Sequence, residues 1–315
     1  MKRSVRLSPL LSLAPFIRGG ALVAFNVGPD GVVYLVVAFE PLDYRHSGSI
    51  GSFPKTTSAQ PQTYRVVGLA GQEILLDVVI EREPFNIHDV QPLGDQLLLV
   101  CVRSHYRGPD DFERNGRVYN RDGTVAGEIL LGDGIKSVQT TPAGVIWTSY
   151  FDEGVFGNFG WERPIGESGL VAWSSEGQKL YEFEPGETLD SICDCYALNV
   201  ETENDVWLYY YTDFPLVHLR DHKIVQSWQI PVAGSAAFAI SGSHALFRGG
   251  YKDRDMCRLF DLSNDNKVTT LAKIQLETEA GDMLAVRHVI GRGDSIYFIS
   301  GDSLYRVDIE SALAS

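Results

Sequence analysis

The sequence predicts an all-β fold, a six-bladed β-propeller with four antiparallel strands in each blade. Alternating apolar strands run through all 315 residues and are separated by turns that carry Gly, Asp or Asn, as expected for antiparallel hairpins. A unit of four such strands recurs every ~40–65 residues, a period typical of propeller blades. The competing prediction is a pair of β-sandwiches, but the sequence has no Pro/Gly/Ser-rich linker and no change of composition near its middle.

Each predicted blade begins with an inner hairpin, in which a long apolar strand is followed by a strand rich in aromatic and branched residues. These six hairpins lie at residues 21–39, 86–102, 135–151, 195–211, 236–251 and 285–300. Outer hairpins follow at residues 63–79, 116–131, 169–184, 215–230 and 256–274, and a last strand lies in 303–311. We therefore expect one domain over residues 1–315, with blades at about 20–82, 85–132, 135–184, 191–231, 235–277 and 283–311.

The last predicted blade lacks its outermost strand, because little of the chain follows the strand in 303–311. The N-terminal segment 1–14 is expected to supply this strand, within Arg3 to Leu13, and so to close the ring. This closure removes an open sheet edge that would otherwise be exposed to pairing with other chains. Almost no helix is expected, and residues 308–315 are expected to form a single loose turn.

The strand-and-turn pattern of the whole chain resembles that of six-bladed propellers of the broad NHL, YVTN and SMP-30/gluconolactonase-like kind. The resemblance implies the architecture, and it does not by itself imply a function. The Trp-Asp dipeptide of WD40 propellers is absent from the blade ends. The resemblance does not place the acidic and amide metal ligands of the gluconolactonase family on particular residues of this chain.

The formal net charge of −14 restricts the partners that this chain is expected to bind. An acidic surface repels phosphate backbones and anionic lipids, so neither nucleic acid nor a membrane is expected as a partner. The N-terminal apolar run faintly resembles a signal peptide, but Arg6 and Pro9 interrupt its start, and no apolar segment has the length of a membrane helix. A cytoplasmic protein is therefore expected, while the oligomeric state is left open.

One face of the predicted propeller is expected to carry the functional site. In each blade the innermost strand begins, and the second strand ends, on the same face, so the loops that leave the second strands gather around one mouth of the central channel. Two of these loops are long, at residues 40–62 and 152–168, and long loops in a compact domain are usually functional or mobile. We expect the second loop to be a folded lid anchored by Phe156, Phe159 and Trp161.

The candidate ligand-binding residues are polar and aromatic side chains expected at this mouth: His88, Asp89, Arg103, Tyr106, Tyr150, Asp152, Glu153, Trp161, Asp194, Tyr210 and Arg248. Their carboxylates, imidazole, guanidinium groups and phenols supply hydrogen bonds for a polar ligand. Each group also has a structural interpretation. His88 and Asp89 form either a general base or metal-binding pair or a hydrogen-bonded structural pair. Arg103 and Arg248 either neutralise an acidic ligand or bridge blades through Asp or Glu.

Two functions are consistent with the sequence. It contains no G-x-S-x-G, H-E-x-x-H, P-loop or Rossmann motif, which favours a propeller that binds a small polar molecule or a protein at the mouth without catalysis. The alternative is a metal-assisted hydrolase or lactonase at the same mouth. One divalent cation would then be held by ligands drawn from His88, Asp152, Glu153 and Asp194. The sequence does not decide whether the protein is an enzyme.

Overall fold

The computed structural model of the chain describes residues 2–48, 51–264 and 267–314. Small parts of the predicted segments 1–14, 40–62, 235–277 and 308–315 therefore lie outside the described residues. The described residues divide into two compact units, one made of residues 1–15 and 185–315 and the other of residues 16–184. Each unit contains three blades of four strands, so the predicted fold class, an all-β six-bladed β-propeller, is confirmed. The assignment of the whole chain to one domain stays a prediction.

The elements up to residue 184 are mostly strands, with two short helices. In chain order they are β1 (Lys2–Leu7), β2 (Leu11–Ser12), α1 (Ala14–Ile17), β3 (Ala21–Val27), β4 (Val33–Ala38), β5 (Arg45–Gly48), β6 (Gly51–Pro54), β7 (Thr57–Ala70), β8 (Glu73–Phe85), β9 (Asp89–Leu93), β10 (Gln96–Val100), β11 (Tyr106–Gly108), β12 (Asp111–Phe112), β13 (Gly116–Tyr119), β14 (Val125–Ile129), β15 (Ile135–Thr140), β16 (Ile146–Tyr150), α2 (Asp152–Phe156), β17 (Leu170–Trp173) and β18 (Lys179–Glu182).

The elements after residue 184 are again strands, followed by one helix near the end of the chain. They are β19 (Asp194–Val200), β20 (Asp205–Tyr211), β21 (Pro215–Arg220), β22 (Lys223–Gln229), β23 (Phe238–Ser241), β24 (His244–Arg248), β25 (Met256–Asn264), β26 (Lys267–Thr278), β27 (Val286–Arg292), β28 (Ser295–Ser300), β29 (Ser303–Asp308) and α3 (Ile309–Ala314).

The unit of residues 16–184 contains three antiparallel blades, with the strand orders β3-β4-β7-β8, β9-β10-β13-β14 and β15-β16-β17-β18. Strand β4 reads VYLVVA and is buried at every position, as expected for a strand covered on both faces. Val36 of β4 pairs with Val66 of β7, which pairs with Val78 of β8. These side chains join Leu97 and Leu99 of the next blade in one hydrophobic cluster. The core of this unit therefore lies between the sheets, where apolar area is removed from water.

Buried asparagines tie the innermost strands together within each unit. Asn26 donates from Nδ2 to Asp89 Oδ1 at 2.7 Å and to the carbonyl of Val138 at 2.9 Å, so β3 is bonded to β9 and β15. Asn199 on β19 donates from Nδ2 to the carbonyls of Phe238 at 3.2 Å and Gly293 at 2.9 Å. Each asparagine precedes a valine at the end of an innermost strand. In both units, therefore, a buried asparagine side chain supplies a hydrogen-bond partner for backbone carbonyls near the inner strands.

The unit of residues 1–15 and 185–315 also contains three blades, and the N-terminal segment joins two of them. Its sheets are β19-β20-β21-β22, β23-β24-β25-β26 with β1 added to β26, and β27-β28-β29 with β2 added to β29. Strand β2 pairs antiparallel with β29, with Leu11 opposite Leu304, so the predicted completion of the last blade is confirmed.

Most of the N-terminal segment takes a place that the sequence did not predict. Strand β1 runs parallel to β26 and adds a fifth strand to the fifth blade, with Val5 opposite Leu276. Leu7 is buried in the same cluster as Ile274 and Leu276. The physical reason is the length of β26, Lys267–Thr278, whose outer edge would otherwise leave its backbone groups unpaired.

The two long loops of the unit of residues 16–184 are partly ordered into secondary structure. The predicted loop 40–62 contains the β5–β6 hairpin, and β7 begins at Thr57. The predicted loop 152–168 begins with α2. At the end of the chain α3 replaces the expected loose turn, and Asp308 Oδ1 accepts a hydrogen bond from Ser311 N at 2.7 Å, as a helix N-cap does. No helix in the described part of the chain is long and apolar enough to span a bilayer.

Candidate functional site

The long loop of the first blade folds onto the start of the second blade, and Asn86 organises it. Asn86 Nδ2 donates to the carbonyls of Asp43 at 3.0 Å and Lys55 at 2.9 Å. Its Oδ1 accepts from Ser58 Oγ at 2.7 Å, and its backbone N donates to the carbonyl of Thr56 at 2.8 Å. The side chain is fully buried. Four bonds from one residue thus hold loop 40–62 against the second blade.

The long loop of the third blade folds onto the end of the second strand of the second blade, and Arg103 organises it. The guanidinium group donates to both carboxylate oxygens of Asp133 at 2.9 Å, and Nη1 lies 2.5 Å from Glu153 Oε2. Its Cζ also lies 4.1 Å from the centre of the Phe159 ring. Burial raises the pKa of Asp133, while the charge of Arg103 acts in the opposite direction. Arg103 therefore serves as an ion-pair bridge between the two blades.

The far end of the same loop is held by Trp161, whose side chain is buried. Its Nε1 donates to the carbonyl of Ser104 at 2.7 Å, and its ring centre lies 4.8 Å from that of Tyr106. Gly160 has φ of +88°, and a Cβ there would lie 2.0 Å from the carbonyl oxygen of Tyr106, so glycine is needed for this close approach. Phe156 is 68% exposed, so its prediction as an anchor is wrong, because α2 turns its side chain to solvent.

His88 and Asp89 are adjacent, but they contact different groups. The His88 ring packs edge-on against Tyr44 with ring centres 5.0 Å apart, and burial lowers its pKa to about 4. Asp89 Oδ1 accepts from Asn26 Nδ2 and from Val90 N, both at 2.7 Å, and Oδ2 accepts from Val138 N at 3.2 Å. Burial raises the pKa of Asp89 to about 7. Asp89 therefore takes part in the bonding of the inner strands.

Tyr150 and Asp152 lie at the start of the third-blade loop and are also engaged in local contacts. The Tyr150 hydroxyl donates to the carbonyl of Leu131 and accepts from Thr148 Oγ1 at 2.9 Å. Burial raises the pKa of Tyr150 well above its ordinary value. Asp152 is exposed, and its Oδ1 accepts from Glu153 N at 2.8 Å in the first turn of α2. Among the sequence candidates of this unit, the structure brings together Arg103, Tyr106, Glu153 and Trp161.

The described residues contain no group of three or more His, Cys, Asp or Glu side chains arranged to hold a metal ion. Of the four predicted metal ligands, His88 contacts Tyr44 and Glu153 pairs with Arg103. The divalent cation of the hydrolase alternative stays a prediction.

The three candidates in the unit of residues 1–15 and 185–315 lie on two neighbouring blades. Asp194 begins β19 opposite Tyr211. The hydroxyl of Tyr210 donates to the carbonyl of Asp190 at 3.0 Å, and burial raises the pKa of this tyrosine. Arg248 donates from Nε to the carbonyl of Arg254 at 2.7 Å, which ties the end of β24 to the loop that follows it.

An aromatic cluster on these two blades extends beyond the sequence candidates. The Phe214 ring lies edge-on to Tyr196 at 5.3 Å and to Tyr251 at 6.1 Å, measured between ring centres. Tyr251 is 53% exposed. The signal for Tyr251 was its position at the end of the predicted inner hairpin 236–251. Phe214 had no comparable signal, because its side chain is positioned by a turn whose left-handed backbone the sequence Asp213-Phe214 does not indicate.

A groove of about 630 Å³ runs along the third-blade loop where it meets the second blade. Its walls are formed by Tyr106, Arg107, Gly160, Trp161, Glu162 and Arg163. Arg107 pairs with Asp111 at 3.2 Å and with Glu113 at 3.3 Å. Arg163 is exposed and has no ion pair with any residue that the structure describes. The groove thus combines two aromatic rings with two guanidinium groups.

Comparison with known proteins supports the fold and does not indicate an activity. A model of the YxzG family matches residues 168–307, less than half of the chain. No curated protein matches the chain. A chain from the crystal structure of the Mitotic Checkpoint Complex is 9% identical, with a TM-score of 0.53 over 98% of this chain and 94% of that one. The WD40 β-propeller domain of Doa1 is 9% identical, with a TM-score of 0.43 over 91% and 92%. At such identity the first likeness shows the fold alone.

Proposed function

We propose that this protein is a non-catalytic binding module, and that a protein partner occupies the groove between Tyr106–Arg107 and Gly160–Arg163. The observation that carries the proposal is the groove itself, a concave surface of about 630 Å³ with aromatic and guanidinium walls. Tyr, Trp and Arg are the residues most enriched in the energetic centres of protein interfaces. A small polar molecule is the other occupant that the sequence predicts.

The loop that forms this groove is pre-organised, which favours binding. Trp161 is fixed by its hydrogen bond to Ser104 and by its contact with Tyr106, and Arg103 holds the rest of the loop through Asp133 and Glu153. A surface that is already ordered loses little conformational freedom when a partner arrives. The partner we expect carries an acidic or aromatic side chain, because guanidinium groups pair with carboxylates and stack on rings.

Three of the polar candidates take part in structural contacts, and none of these contacts favours catalysis. Asp89, Tyr150 and Arg103 are bonded to neighbouring strands and loops, in positions where they stabilise the fold. No observation on the described residues favours the metal-assisted hydrolase or lactonase, so we do not propose it. The propeller resemblance contributes architecture only. A cytoplasmic location belongs to the proposal, and cell fractionation tests it.

The experiment is site-specific photo-crosslinking followed by affinity measurement. A photoreactive amino acid at Glu162, which lines the groove, is expected to capture one partner in cells of the source. The same amino acid at Glu81, which is exposed on β8 of the same unit, is expected to miss that partner. The captured protein is then purified, and its affinity for the unlabelled chain is measured.

Matched charge reversals test whether the groove makes the contact. Arg163→Glu is expected to weaken binding at least tenfold, because it replaces an exposed guanidinium group of the groove. Arg82→Glu makes the same charge change on β8 and is expected to alter the affinity less than twofold. Equal effects of the two changes, or capture of the same partner from Glu81, would reject the groove as the binding surface.

A further inference from the structure

A second cavity lies in the other unit, between the loops that follow β20 and β24, and it does not belong to the groove described above. Its volume is about 320 Å³, at the lower end of the range for small-molecule sites. Phe214, Val232 and Tyr251 give it apolar walls. Asp213 and Lys252 also line it, and they carry opposite charges. Asp253 and Arg258 line it as well, so the lining combines an apolar surface with two charged groups of each sign.

The charged groups of this cavity differ in whether they already have partners. Arg258 pairs with Asp253 and donates from Nη1 to the carbonyl of Pro231 at 2.9 Å. Asp213 and Lys252 are both exposed, and neither has an ion pair with any residue that the structure describes. One carboxylate and one ammonium group are thus available to a ligand that enters the cavity.

The turn that carries Asp213 is held in a strained conformation. Asp213 has φ of +65° and Phe214 has φ of +58°, a left-handed conformation that Asp tolerates but that is unfavourable for a bulky residue such as Phe. Gln229 Nε2 donates to the carbonyl of Asp213, and the Phe214 ring stacks against Tyr209 at 5.5 Å, so the surroundings hold the turn in place. Backbone strain of this kind is concentrated at ligand sites, where it fixes the position of a functional side chain.

The opposite wall of the cavity is held as firmly. The backbone N of Tyr251 donates to the carbonyl of Ala233 at 2.9 Å. A Cβ at Gly250 would lie 1.8 Å from the oxygen of that carbonyl, so the two loops approach as closely as glycine permits. Tyr251 also shares a hydrogen bond between hydroxyl groups with Tyr196. The cavity is therefore formed before any ligand is bound.

We propose that this cavity binds a free α-amino acid with an apolar or aromatic side chain. Its ammonium group pairs with the carboxylate of Asp213, its carboxylate pairs with Lys252, and its side chain packs against Phe214 and Tyr251. A zwitterion matches one carboxylate and one ammonium group that form no direct ion pair, whereas a neutral sugar would pair with neither charge. The aromatic walls favour a flat or branched apolar side chain. Because the residues involved lie outside 16–184, this inference is independent of the proposed protein partner.

The test uses isothermal titration calorimetry of the full chain with L-phenylalanine, L-leucine and L-valine. It also uses two derivatives of L-phenylalanine, one with its amino group blocked and one with its carboxylate blocked. Wild-type protein is expected to bind L-phenylalanine. It is expected to bind N-acetyl-L-phenylalanine and L-phenylalaninamide at least tenfold more weakly, because each has lost one of the two charges. Asp213→Asn should weaken the binding of L-phenylalanine at least tenfold but leave the affinity for N-acetyl-L-phenylalanine unchanged. Asn tolerates the left-handed backbone at this position.

Lys252→Met should show the converse pattern, with weaker binding of L-phenylalanine and unchanged binding of the amide. Asp255→Asn, an exposed change in the same loop, is the control and should stay within twofold of wild type. Thermal melting of each variant without ligand checks that it is folded. The proposal is overturned if none of the three amino acids binds, or if Asp213→Asn and Lys252→Met leave their binding unchanged. It is also overturned if the N-acetyl form or the amide binds as tightly as the free acid, since a peptide C-terminus or N-terminus would then be the ligand.

Discussion

Replacing Arg103 with methionine removes the bridge between the second blade and the third-blade loop while keeping much of the side-chain volume. The side chain of Asp133 is 2% exposed, so the change leaves a buried carboxylate without its counter-ion. Breaking a buried ion pair on one side costs about 3–5 kcal/mol. Glu153 also loses its partner, but its side chain is 43% exposed, and such pairs contribute about 0–1 kcal/mol. We therefore expect Arg103→Met to lower the free energy of unfolding by about 3–5 kcal/mol.

The measurement is urea unfolding followed by tryptophan fluorescence, at pH 7 and near pH 4. Burial already raises the pKa of Asp133, and loss of Arg103 raises it further. A carboxyl group whose pKa is raised in the folded state stabilises the fold at low pH and loses that contribution as the pH rises. The deficit of Arg103→Met should therefore be smaller near pH 4 than at pH 7.

Two further variants separate this interpretation from a role of Arg103 in ligand binding. Adding Asp133→Asn to Arg103→Met should restore part of the lost stability, because no buried charge then remains. Glu153→Gln should cost less than about 1 kcal/mol. A loss below about 1 kcal/mol for Arg103→Met, with no dependence on pH, would refute the bridge and leave the guanidinium group available for a ligand.

Three other changes follow from the same structure. The lowered pKa of His88 means stability is lost as the pH falls from about 6.5 to about 4, and the raised pKa of Asp89 means stability is lost as the pH rises from about 4 to about 7. His88→Gln and Asp89→Asn should each abolish one of these two pH dependences. Each dependence amounts to up to about 3–4 kcal/mol in the free energy of unfolding, measured by denaturant unfolding across this pH range. Deletion of residues 1–13 removes β1 and β2 and exposes two strand edges, so we expect a lower melting temperature and aggregation in size-exclusion chromatography. Gly160→Ala should release the loop at Tyr106 and speed limited proteolysis there, without a large change in the global melting temperature.

The fold was predictable because its main signals are local. Alternating apolar positions, turn residues and a regular period define four-stranded blades, and β2 completes the last blade as expected. The place of β1 was not predictable in this way. The parallel pairing of β1 with β26 depends on how far β26 extends past β25, the strand with which it forms a hairpin. The residues of β1, Lys2–Leu7, do not themselves indicate the strand with which they pair.

The candidate site was predictable only in part. Tyr106 and Trp161, two of the sequence candidates, line the groove, while the gathering of the second-strand loops at one mouth of the channel stays a prediction. The anchor prediction for Phe156 failed because a five-residue helix, α2, sets the direction of its side chain. The cavity beside Phe214 escaped prediction because it depends on a left-handed turn and on loops from two blades.

The polar residues at the loop ends have a physical explanation that applies to both long loops. A long loop that folds over a sheet brings backbone carbonyls and N–H groups out of water, and these groups need partners. Asn86 supplies them for the first loop, and at the second loop the indole N–H of Trp161 supplies a partner for the backbone carbonyl of Ser104. Arg103 fixes the second loop by charge. Buried polar residues that contact the long loops, whether before an innermost strand (Asn86) or after a second strand (Arg103), are therefore explained as loop anchors. The groups with ligand-binding potential are the exposed ones beside them, such as Arg163 and Asp213, whose removal should leave the fold intact and alter binding alone.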